Sequence, residues 1–420
     1  MGSAMAPPYS DRFSNFLQET WEKAPLGLLL GAVSSALLSI AASQILLAGA
    51  FFVCGWQWKR GRIRFEPWRP VLIPLLLYLL WGLVAAAFAP DPMLALKANK
   101  KIFLYAVLFL TPAVVRKGKE HAAILHAIFA LAAIASLDGL IQYAMQPQRN
   151  LLNRISGFMS IWMTYAGLLM LVLVALVGYS LQTRRIKLWS FPLALTIVTA
   201  LILSETRNAW MGSAAGVMIL FLLRKPRALL LLLPLTVGLF LISPEGIKQR
   251  VRSTLDPNDD NTRNRIELVG TSLRLIRDNP WLGVGPENVA TEALRYRGTT
   301  EFPDFMYQHM HNNFLQVASE RGLPGLFLWL WFMGRLGWDS ATVYRRNRGN
   351  LGSDPESEFA VMVSSIGIGA LVSLLVAGLA EWNFNDSEVL VLFMFLVAAP
   401  YTYLQKSAAA QIPAAARTHR

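Results

Sequence analysis

Long apolar runs separated by short polar connections are the dominant pattern of this sequence. Twelve such runs recur between residues 26 and 404, and several of them reach the ~20 residues that a helix needs to cross a bilayer. Their approximate bounds are 26–40, 45–58, 71–88, 102–115, 122–143, 158–181, 188–203, 210–223, 228–242, 322–338, 359–380 and 389–404. The pattern predicts an all-α membrane protein with about twelve transmembrane helices.

The N-terminal part of this pattern is less regular. Residues 26–58 carry no charge, and at ~1.5 Å per residue they are too long for one upright helix and short for two. Before them, four bulky apolar residues between positions 13 and 21 share one face of a possible helix, with charges on the other face. Such a helix is typical of the membrane interface. We therefore expect residues 1–24 to be an extramembrane segment with an interfacial helix.

Cations are concentrated in every second connection, and together they explain most of the formal net charge of +13. These clusters are Lys59, Arg60, Arg62, Arg64 and Arg69; Arg116, Lys117 and Lys119; Arg184, Arg185 and Lys187; Arg224, Lys225 and Arg227; and Arg345, Arg346 and Arg348. Cytoplasmic loops are enriched in Lys and Arg, so both termini are predicted to be cytoplasmic. Cations at these positions anchor helices at anionic headgroups, and no nucleic-acid partner is needed to explain them.

The alternation of connections also defines the predicted domains. Residues 1–24 are the N-terminal cytoplasmic segment, 25–242 hold transmembrane helices 1–9, 243–321 form one large outer loop, 322–405 hold helices 10–12, and 406–420 are a cytoplasmic tail. Within the loop, an amphipathic helix is expected to begin at a cap, Asp260 or Thr262, and to stop before Pro280. Its predicted apolar face consists of Ile266, Val269, Leu273 and Ile276.

Two arginines on the predicted outer side are candidates for anion binding. Arg207 lies in "LSETRNAW" at the junction of two spans, and Arg265 lies in "TRNRIELVG" in the loop helix. Guanidinium groups suit phosphate because they donate paired hydrogen bonds and stay charged. A structural ion pair, for example with Glu205, is an equally open interpretation. Arg154 and Lys101 are two further outer cations that we expect to contact substrate.

A histidine at the start of a predicted short helix is the candidate for proton transfer. In "MYQHMHNNFLQVASERGLPG", His311, Leu315 and Ala318 share a helical face, and Gly322 ends the helix. An imidazole with an ordinary pKa of about 6.5 can take up a proton near neutral pH. The neighbouring Asn312 is a candidate for substrate binding. His309 competes with His311, although on a helix it would point elsewhere, and either histidine could simply complete an interface.

Acidic residues on the outer side suggest support for this site and not a metal centre. Asp386, in "AEWNFNDSE", either holds an imidazole or an arginine in place or caps the helix that begins at Ser387. The acids of "DPNDDN" (256–261) lie in a turn-rich stretch without His or Cys, which favours a solvated loop. We therefore expect no metal ion and no cofactor. The glycines of "WLGVGPEN" do not follow a strand, so a dinucleotide loop is excluded.

The order of these motifs resembles that of the O-antigen ligase and O-antigen polymerase superfamily. In the family signature, His-Asn is followed after nine residues by Gly-x-x-Gly, and here His311-Asn312 is followed at that spacing by Gly322 and Gly325. "NPWLGVG" and an arginine-bearing helix precede it, and "TRNAW" lies between earlier spans. The family's Arg-x-x-x-Leu pattern is not reproduced at Arg265, because Val269 stands where the pattern has leucine. Arg263 lies close by and is the alternative phosphate contact.

The resemblance implies a fold similar to C-type glycosyltransferases and a periplasmic active site in the bacterial inner membrane. Ligases of this superfamily transfer a finished glycan from undecaprenyl pyrophosphate to the lipid A-core oligosaccharide, without metal and with inversion. Their essential arginines and histidine map onto Arg207, Arg265 and His311, and their acidic residue near the last span maps onto Asp386. The implied partners are this donor, this acceptor and membrane lipids, while the oligomeric state is left open.

Three other functions remain open at the level of sequence. An O-antigen polymerase or a protein O-oligosaccharyl ligase would use the same lipid-linked donor with another acceptor. A transporter would instead carry charges or broken helices near the middle of the membrane and internal repeats. Asp138 is the clear candidate for such a charge, and no repeat is evident in the sequence.

Overall fold

The structure is a computed structural model that describes residues 9–65, 68–146, 154–182, 187–230, 238, 245–252, 256, 258–299 and 301–404. The described helices are α1 (Tyr9–Ser35), α2 (Ile40–Lys59), α3 (Arg69–Ala87), α4 (Pro92–Ala98), α5 (Val107–Val114), α6 (Gly118–Met145), α7 (Trp162–Ser180), α8 (Ser190–Leu203), α9 (Arg207–Arg224), α10 (Glu245–Arg252), α11 (Asp260–Asp278), α12 (Val289–Tyr296), α13 (Asn313–Asn347), α14 (Pro355–Ala377) and α15 (Ser387–Ala398). Four 3₁₀ helices are Asn99–Ala106, Pro226–Ala228, Asp304–Tyr307 and Arg348–Asn350. Within these ranges the chain contains no strand, as predicted.

Six helices are long and apolar enough to cross a membrane: α2, α3, α6, α7, α14 and the stretch Ser387–Leu404 that contains α15. This confirms a multi-pass, all-helical architecture. The other predicted spans coincide with helices that are shorter or more polar, such as α8 and α9. The predicted span at 228–242 lies mostly outside the described residues. The count of twelve therefore stays a prediction.

The N-terminal region differs from its predicted division. α1 runs without interruption through Pro25, so the predicted interfacial helix and the first span are one helix. It ends at Ser35, and α2 begins at Ile40, where the Ser39 side chain accepts a hydrogen bond from the backbone N–H of Ala42. The uncharged stretch 26–58 therefore forms two helices, the first of which extends into the polar segment before it.

The core of the bundle lies around α7, α14 and α15, most of whose residues are buried, whereas α2 and α3 expose large apolar side chains.

Small residues allow α9 to approach α14 closely. A Cβ atom added to Gly216 of α9 would collide with the Ser373 hydroxyl and the Gly369 carbonyl of α14. Such small-residue contacts are the usual way in which membrane helices pack, because burial in lipid provides no hydrophobic gain.

A break in α13 fixes the outer loop to the bundle. Gly322 has φ 67° and ψ −177°, which interrupts the helix at the predicted position. The segment after α11 fits into this break: the N–H of Leu323 donates to the Pro280 carbonyl at 2.8 Å, and the N–H of Val284 donates to the Ser319 carbonyl at 2.9 Å. A Cβ at Gly322 would collide with the Trp281 carbonyl. The glycine is thus required by both its dihedral angle and this close approach.

The predicted apolar face of α11 is not the face that packs inside the protein. Ile266, Val269 and Leu273 are 60%, 41% and 57% exposed, whereas Leu268 and Leu275 are fully buried. The buried leucines pack in a small outer core with Val289, Ala293, Tyr307 and Met310. The helix carries apolar residues on two sides, and packing within the outer loop selects the side that periodicity alone does not favour.

Candidate active site

Four of the sequence-predicted residues line one cavity of about 340 Å³ between the outer loop and the helix ends beneath it. These are Arg154, Arg207, Arg265 and His311. The remaining lining residues are Ile161, Trp162, Met163, Glu205, Thr206, Asn208, Asn264, Phe305, Met306, Gln308, His309 and Glu381. The cavity therefore has a cationic part, a histidine pair and an apolar part.

Each of the four residues reaches the cavity from a different part of the chain. Arg207 is the first residue of α9, Arg265 lies in the first half of α11, and Arg154 precedes α7. His311 stands immediately before Asn312, the residue that caps α13. The site thus depends on the docking of the outer loop onto the bundle.

The His311 imidazole is bound to a buried carboxylate. Its Nδ1 lies 3.1 Å from Oε1 and 3.2 Å from Oε2 of Glu381, whose side chain is almost fully buried. Glu381 Oε1 also accepts a hydrogen bond of 2.9 Å from the Trp382 backbone N–H. His311 itself has φ 45°, a left-handed conformation that non-glycine residues rarely adopt. Such local strain is maintained only where surrounding contacts compensate for it.

The protonation of this pair follows from the charges around Glu381. Burial by itself raises the pKa of the Glu381 carboxyl. The charge of His311, the hydrogen bond from His311 and the charge of His309 lower it by more, so that the pKa falls from its ordinary value to about 2. The group is therefore an ionised carboxylate that only accepts hydrogen bonds. His311 thus donates through Nδ1–H, so Nε2 is the ring nitrogen left for proton transfer.

His309 lies beside His311 in the same cavity. The two ring centroids are 4.1 Å apart, and burial, followed by the proximity of His311, lowers the pKa of His309. The expectation that His309 points elsewhere was wrong, because residues 308–312 are not helical. Burial and the neighbouring His311 both disfavour the protonated form of His309.

Three side chains of this site have the donor atoms of a possible metal centre. Ligand atoms of His309, His311 and Glu381 all lie within 4.8 Å of one another. Two imidazoles and a carboxylate are a donor set that suits zinc. In the present arrangement the Nδ1 atom of His311 is engaged with Glu381.

The three cavity arginines create a positive region. Arg207 is 8% exposed, and its Nη2 lies 3.5 Å from Oδ2 of Asp259. Burial lowers the pKa of Arg265, with opposing effects of Glu381, which raises it, and Arg207, which lowers it. Burial also lowers the pKa of Arg154. Glu205 opposes this effect, and the positive charges of Arg207 and Arg265 add to it. Guanidinium groups donate paired hydrogen bonds, so this region suits a phosphorylated ligand.

The two nearby arginines of α11, Arg263 and Arg265, lie in different parts of the structure. Arg263 points away from the cavity lining and donates to both carboxylate oxygens of Glu301, each at 2.6 Å, on the protein surface. Arg265 lines the cavity instead. Two residues apart on α11, they face different surroundings.

Asn312 is directed away from the cavity lining. Its Oδ1 accepts hydrogen bonds from the backbone N–H groups of Phe314 and Leu315 at 2.9 and 3.0 Å, and its Nδ2 donates to the Leu379 carbonyl at 2.9 Å. Both ends of the amide are thus used to cap α13 and to fasten the segment after α14.

Asp386 and Lys101 also have protein partners outside that cavity. Oδ2 of Asp386 accepts a hydrogen bond of 2.9 Å from the Thr164 hydroxyl, and burial raises the pKa of Asp386 to about 7. Asp386 stands at the N-cap position of α15, but its side chain makes no capping hydrogen bond. Lys101 Nζ donates to the Asn385 carbonyl at 2.8 Å, and together with Arg321 it lines a second cavity of about 40 Å³.

Sequence reasoning missed Glu381 and Asp259 as partners of the site. It assigned the supporting acid to Asp386, which lies five residues after Glu381 in the same segment, and it read Asp259 as part of a solvated loop. The available signal was the position of Glu381 beside a predicted span end, where an unpaired carboxylate is costly.

Comparison with known proteins finds a family match for part of this chain. Residues 192–330, about a third of the chain, match the profile of a family described as O-Antigen ligase. The matched segment contains Arg207, Arg265 and His311 and ends before Glu381. The match supports a relationship to membrane glycosyltransferases of the ligase or polymerase type.

Two other comparisons complete this picture. No curated protein sequence matches this chain significantly. A chain from the solved structure "Structural coordination of polymerization and crosslinking by a peptidoglycan synthase complex" is similar, with a TM-score of 0.47 and 16% identity, over 81% of this chain and 98% of that chain.

Proposed function

We propose that this protein is an O-antigen ligase that transfers a glycan from undecaprenyl pyrophosphate to the lipid A-core oligosaccharide. The observation that carries the proposal is the single cavity shared by His311, Arg154, Arg207 and Arg265. A base and several guanidinium groups in one cavity match the needs of glycosyl transfer from a diphosphate.

The proposed reaction is a single displacement. The acceptor hydroxyl oxygen forms a bond to the anomeric carbon while the bond from that carbon to the diphosphate oxygen breaks, and the electron pair leaves with the diphosphate. His311 Nε2 takes the hydroxyl proton, and the resulting imidazolium is stabilised by Glu381, to which Nδ1–H donates. Arg207, Arg265 and Arg154 receive the charge of the leaving diphosphate. Attack from the face opposite the leaving group inverts the anomeric configuration.

The proposed reaction needs no metal ion. The three arginines supply the positive charge that a divalent cation would otherwise bring to the diphosphate. Addition of a chelator such as EDTA to the reconstituted enzyme is therefore expected to leave the rate unchanged. A loss of activity that added zinc restores would favour a metal bound at His309, His311 and Glu381.

The proposed setting is the bacterial inner membrane with the cavity facing the periplasm. The distribution of cations supports this orientation. A separate cavity is lined by Lys23, Arg62 and Arg116, which come from three different parts of the chain. Arg62 and Arg116 belong to the predicted cytoplasmic connections, and the catalytic cavity is formed by the predicted outer ones. Ile161, Trp162 and Met163 give the catalytic cavity an apolar part suited to the polyprenyl end of the donor.

The remaining predicted substrate contacts are assigned by their surroundings. We place Lys101 next to Arg321 at the second cavity as a contact for an anionic group of the acceptor. The protein partners of Asn312 and Asp386 support roles in holding the site rather than in touching the substrate.

Reconstitution tests the proposal directly. The purified chain in nanodiscs is mixed with an undecaprenyl-pyrophosphate-linked oligosaccharide and lipopolysaccharide that lacks O-antigen. We expect a single larger lipopolysaccharide product with wild type and none with His311→Ala, while both proteins remain folded. A ladder of repeats on the donor lipid would show a polymerase instead, a glycosylated protein acceptor would show a protein O-oligosaccharyl ligase, and donor movement without chemistry would show a transporter.

A further inference from the structure

The segment that carries Glu381 has little regular structure of its own. Between the end of α14 and the start of α15, residues 380–386 form no helix, yet Trp382, Asn383 and Phe384 are buried. A buried irregular backbone must find hydrogen-bond partners in side chains or in other loops. The position of the Glu381 carboxylate therefore depends on what holds this backbone.

One buried residue, Asn313, holds the segment on both sides of Glu381, with its backbone on one side and its side chain on the other. The backbone N–H of Asn313 donates to the Gly378 carbonyl at 2.7 Å. Its Nδ2 donates to Oδ1 of Asn383 at 2.8 Å, and its Oδ1 accepts from the backbone N–H of Phe384 at 3.2 Å. Asn313 has no exposed surface, so water does not replace these bonds.

The Asn313 side chain is closely packed. A Cβ at Gly378 would collide with the Asn313 side-chain amide, so this amide lies directly against the Gly378 backbone. Asn313 is also the first residue of α13, two positions after His311. One short element thus carries the imidazole and, through Asn313, fixes the segment that carries its carboxylate partner.

We propose that Asn313 is a positioning residue that keeps the Glu381 carboxylate on Nδ1 of His311 during glycosyl transfer. The inference rests on the proposed function and adds to it a residue that does not line the cavity. Without the Asn313 amide, the 381–384 segment loses one hydrogen bond at the Asn383 side chain and one at the Phe384 backbone N–H, and the carboxylate moves away from the imidazole. A displacement of about 1 Å in a catalytic group can reduce a rate on the order of 100-fold.

Asn313→Ala and Asn383→Ala test the two ends of the same hydrogen bond. We expect each to reduce kcat roughly 10- to 100-fold with little change in KM for the lipid-linked donor. The double variant should be no worse than the more severe single variant, because the two changes remove one shared interaction. Losses that simply multiply would contradict the proposed coupling.

The pH profile separates positioning from a general loss of folding. The charged and titratable groups around His311 are His309, Glu381, Glu205, Glu287, Arg154, Arg207 and Arg265. Because Glu381 stabilises the protonated imidazole, its displacement should move the acidic limb of the kcat/KM profile to lower pH. Asn288→Ala is the matched control: Asn288 is equally buried and bonds to Asp91. It should lower the thermal stability without moving that limb.

A readout without turnover distinguishes this proposal from the proposed function. ¹⁵N-histidine spectra of the full chain, whose five histidines can be assigned by single substitution, report the titration of His311. We expect His311 in Asn313→Ala to titrate at lower pH than in wild type. An unchanged His311 titration would overturn the positioning role, whereas wild type that transfers no glycan would overturn only the proposed function.

Discussion

Nδ1 of His311 lies 3.1 Å from Oε1 of Glu381, although 70 positions separate the two residues in the chain. The contact joins the start of α13 to the segment between α14 and α15. It fixes the orientation of the imidazole and leaves its Nε2 for the cavity. Most of the following predictions concern this pair or the elements that bring it together.

Glu381→Gln keeps the shape of the side chain and removes its charge. We expect transfer activity to fall by roughly 100-fold or more, because an amide neither stabilises the imidazolium nor fixes the tautomer of the histidine. The measurement is the initial rate of product formation by the reconstituted protein. Glu388→Gln changes another acid near the start of α15 and serves as the control. Equal rates for both variants would show that Glu381 is not needed.

Glu381 should also contribute to stability in a defined pH window. Its pKa is lowered from 4.5 to about 2 in the folded protein. The ionised carboxylate therefore stabilises the fold above the unfolded value, and this stabilisation is lost as pH falls from about 4.5 toward 2. Thermal unfolding of wild type should decline more steeply across this window than unfolding of Glu381→Gln. Parallel curves would argue against a depressed pKa.

The arginines should not be replaceable by lysine. Arg265→Lys and Arg207→Lys exchange a planar fork for a point charge, and we expect each to reduce kcat on the order of 100-fold. Arg263→Lys is the matched control, because Arg263 lies on the same helix but pairs with Glu301 at the surface. Transfer rates and donor-lipid binding are measured for all three. Full activity of both cavity variants would assign those arginines a purely structural role.

Gly322→Ala should loosen the outer loop. The positive φ of Gly322 alone makes alanine unfavourable by about 1–3 kcal/mol, and the new methyl group also collides with the Trp281 carbonyl. Thermal unfolding and limited proteolysis of the loop are the measurements. Gly334→Ala, on the same helix and with open space around it, should behave like wild type. Equal protection of the loop in both variants would contradict the proposed clamp.

Asp386 should destabilise the fold as pH rises. Burial raises its pKa from 3.8 to about 7, so the folded protein holds a proton that the unfolded chain has released. Stability is therefore lost between about pH 4 and 7. Asp386→Asn should remove this decline, which thermal unfolding at a series of pH values can detect. If the variant keeps the same slope as wild type, Asp386 does not titrate in this range.

The local pattern of the sequence contained much of the site. "HNNFLQVASERGLPG" places a histidine before a helix and a glycine at its break, and the spacing of these residues requires no knowledge of the rest of the chain. Arg207 at the start of α9 and Arg265 on α11 were recognisable as cations at costly positions near span ends. The structure brings all three to one cavity, while their catalytic roles remain predictions.

The sequence alone determined an all-helical membrane architecture, because hydropathy along each segment is a local property that does not depend on its neighbours. Tertiary structure decided which face of α11 is buried, that Glu381 and not Asp386 contacts His311, and that the Asn312 side chain caps α13. These outcomes depend on which distant segments pack together, and periodicity within one segment contains no information about its partner across the bundle.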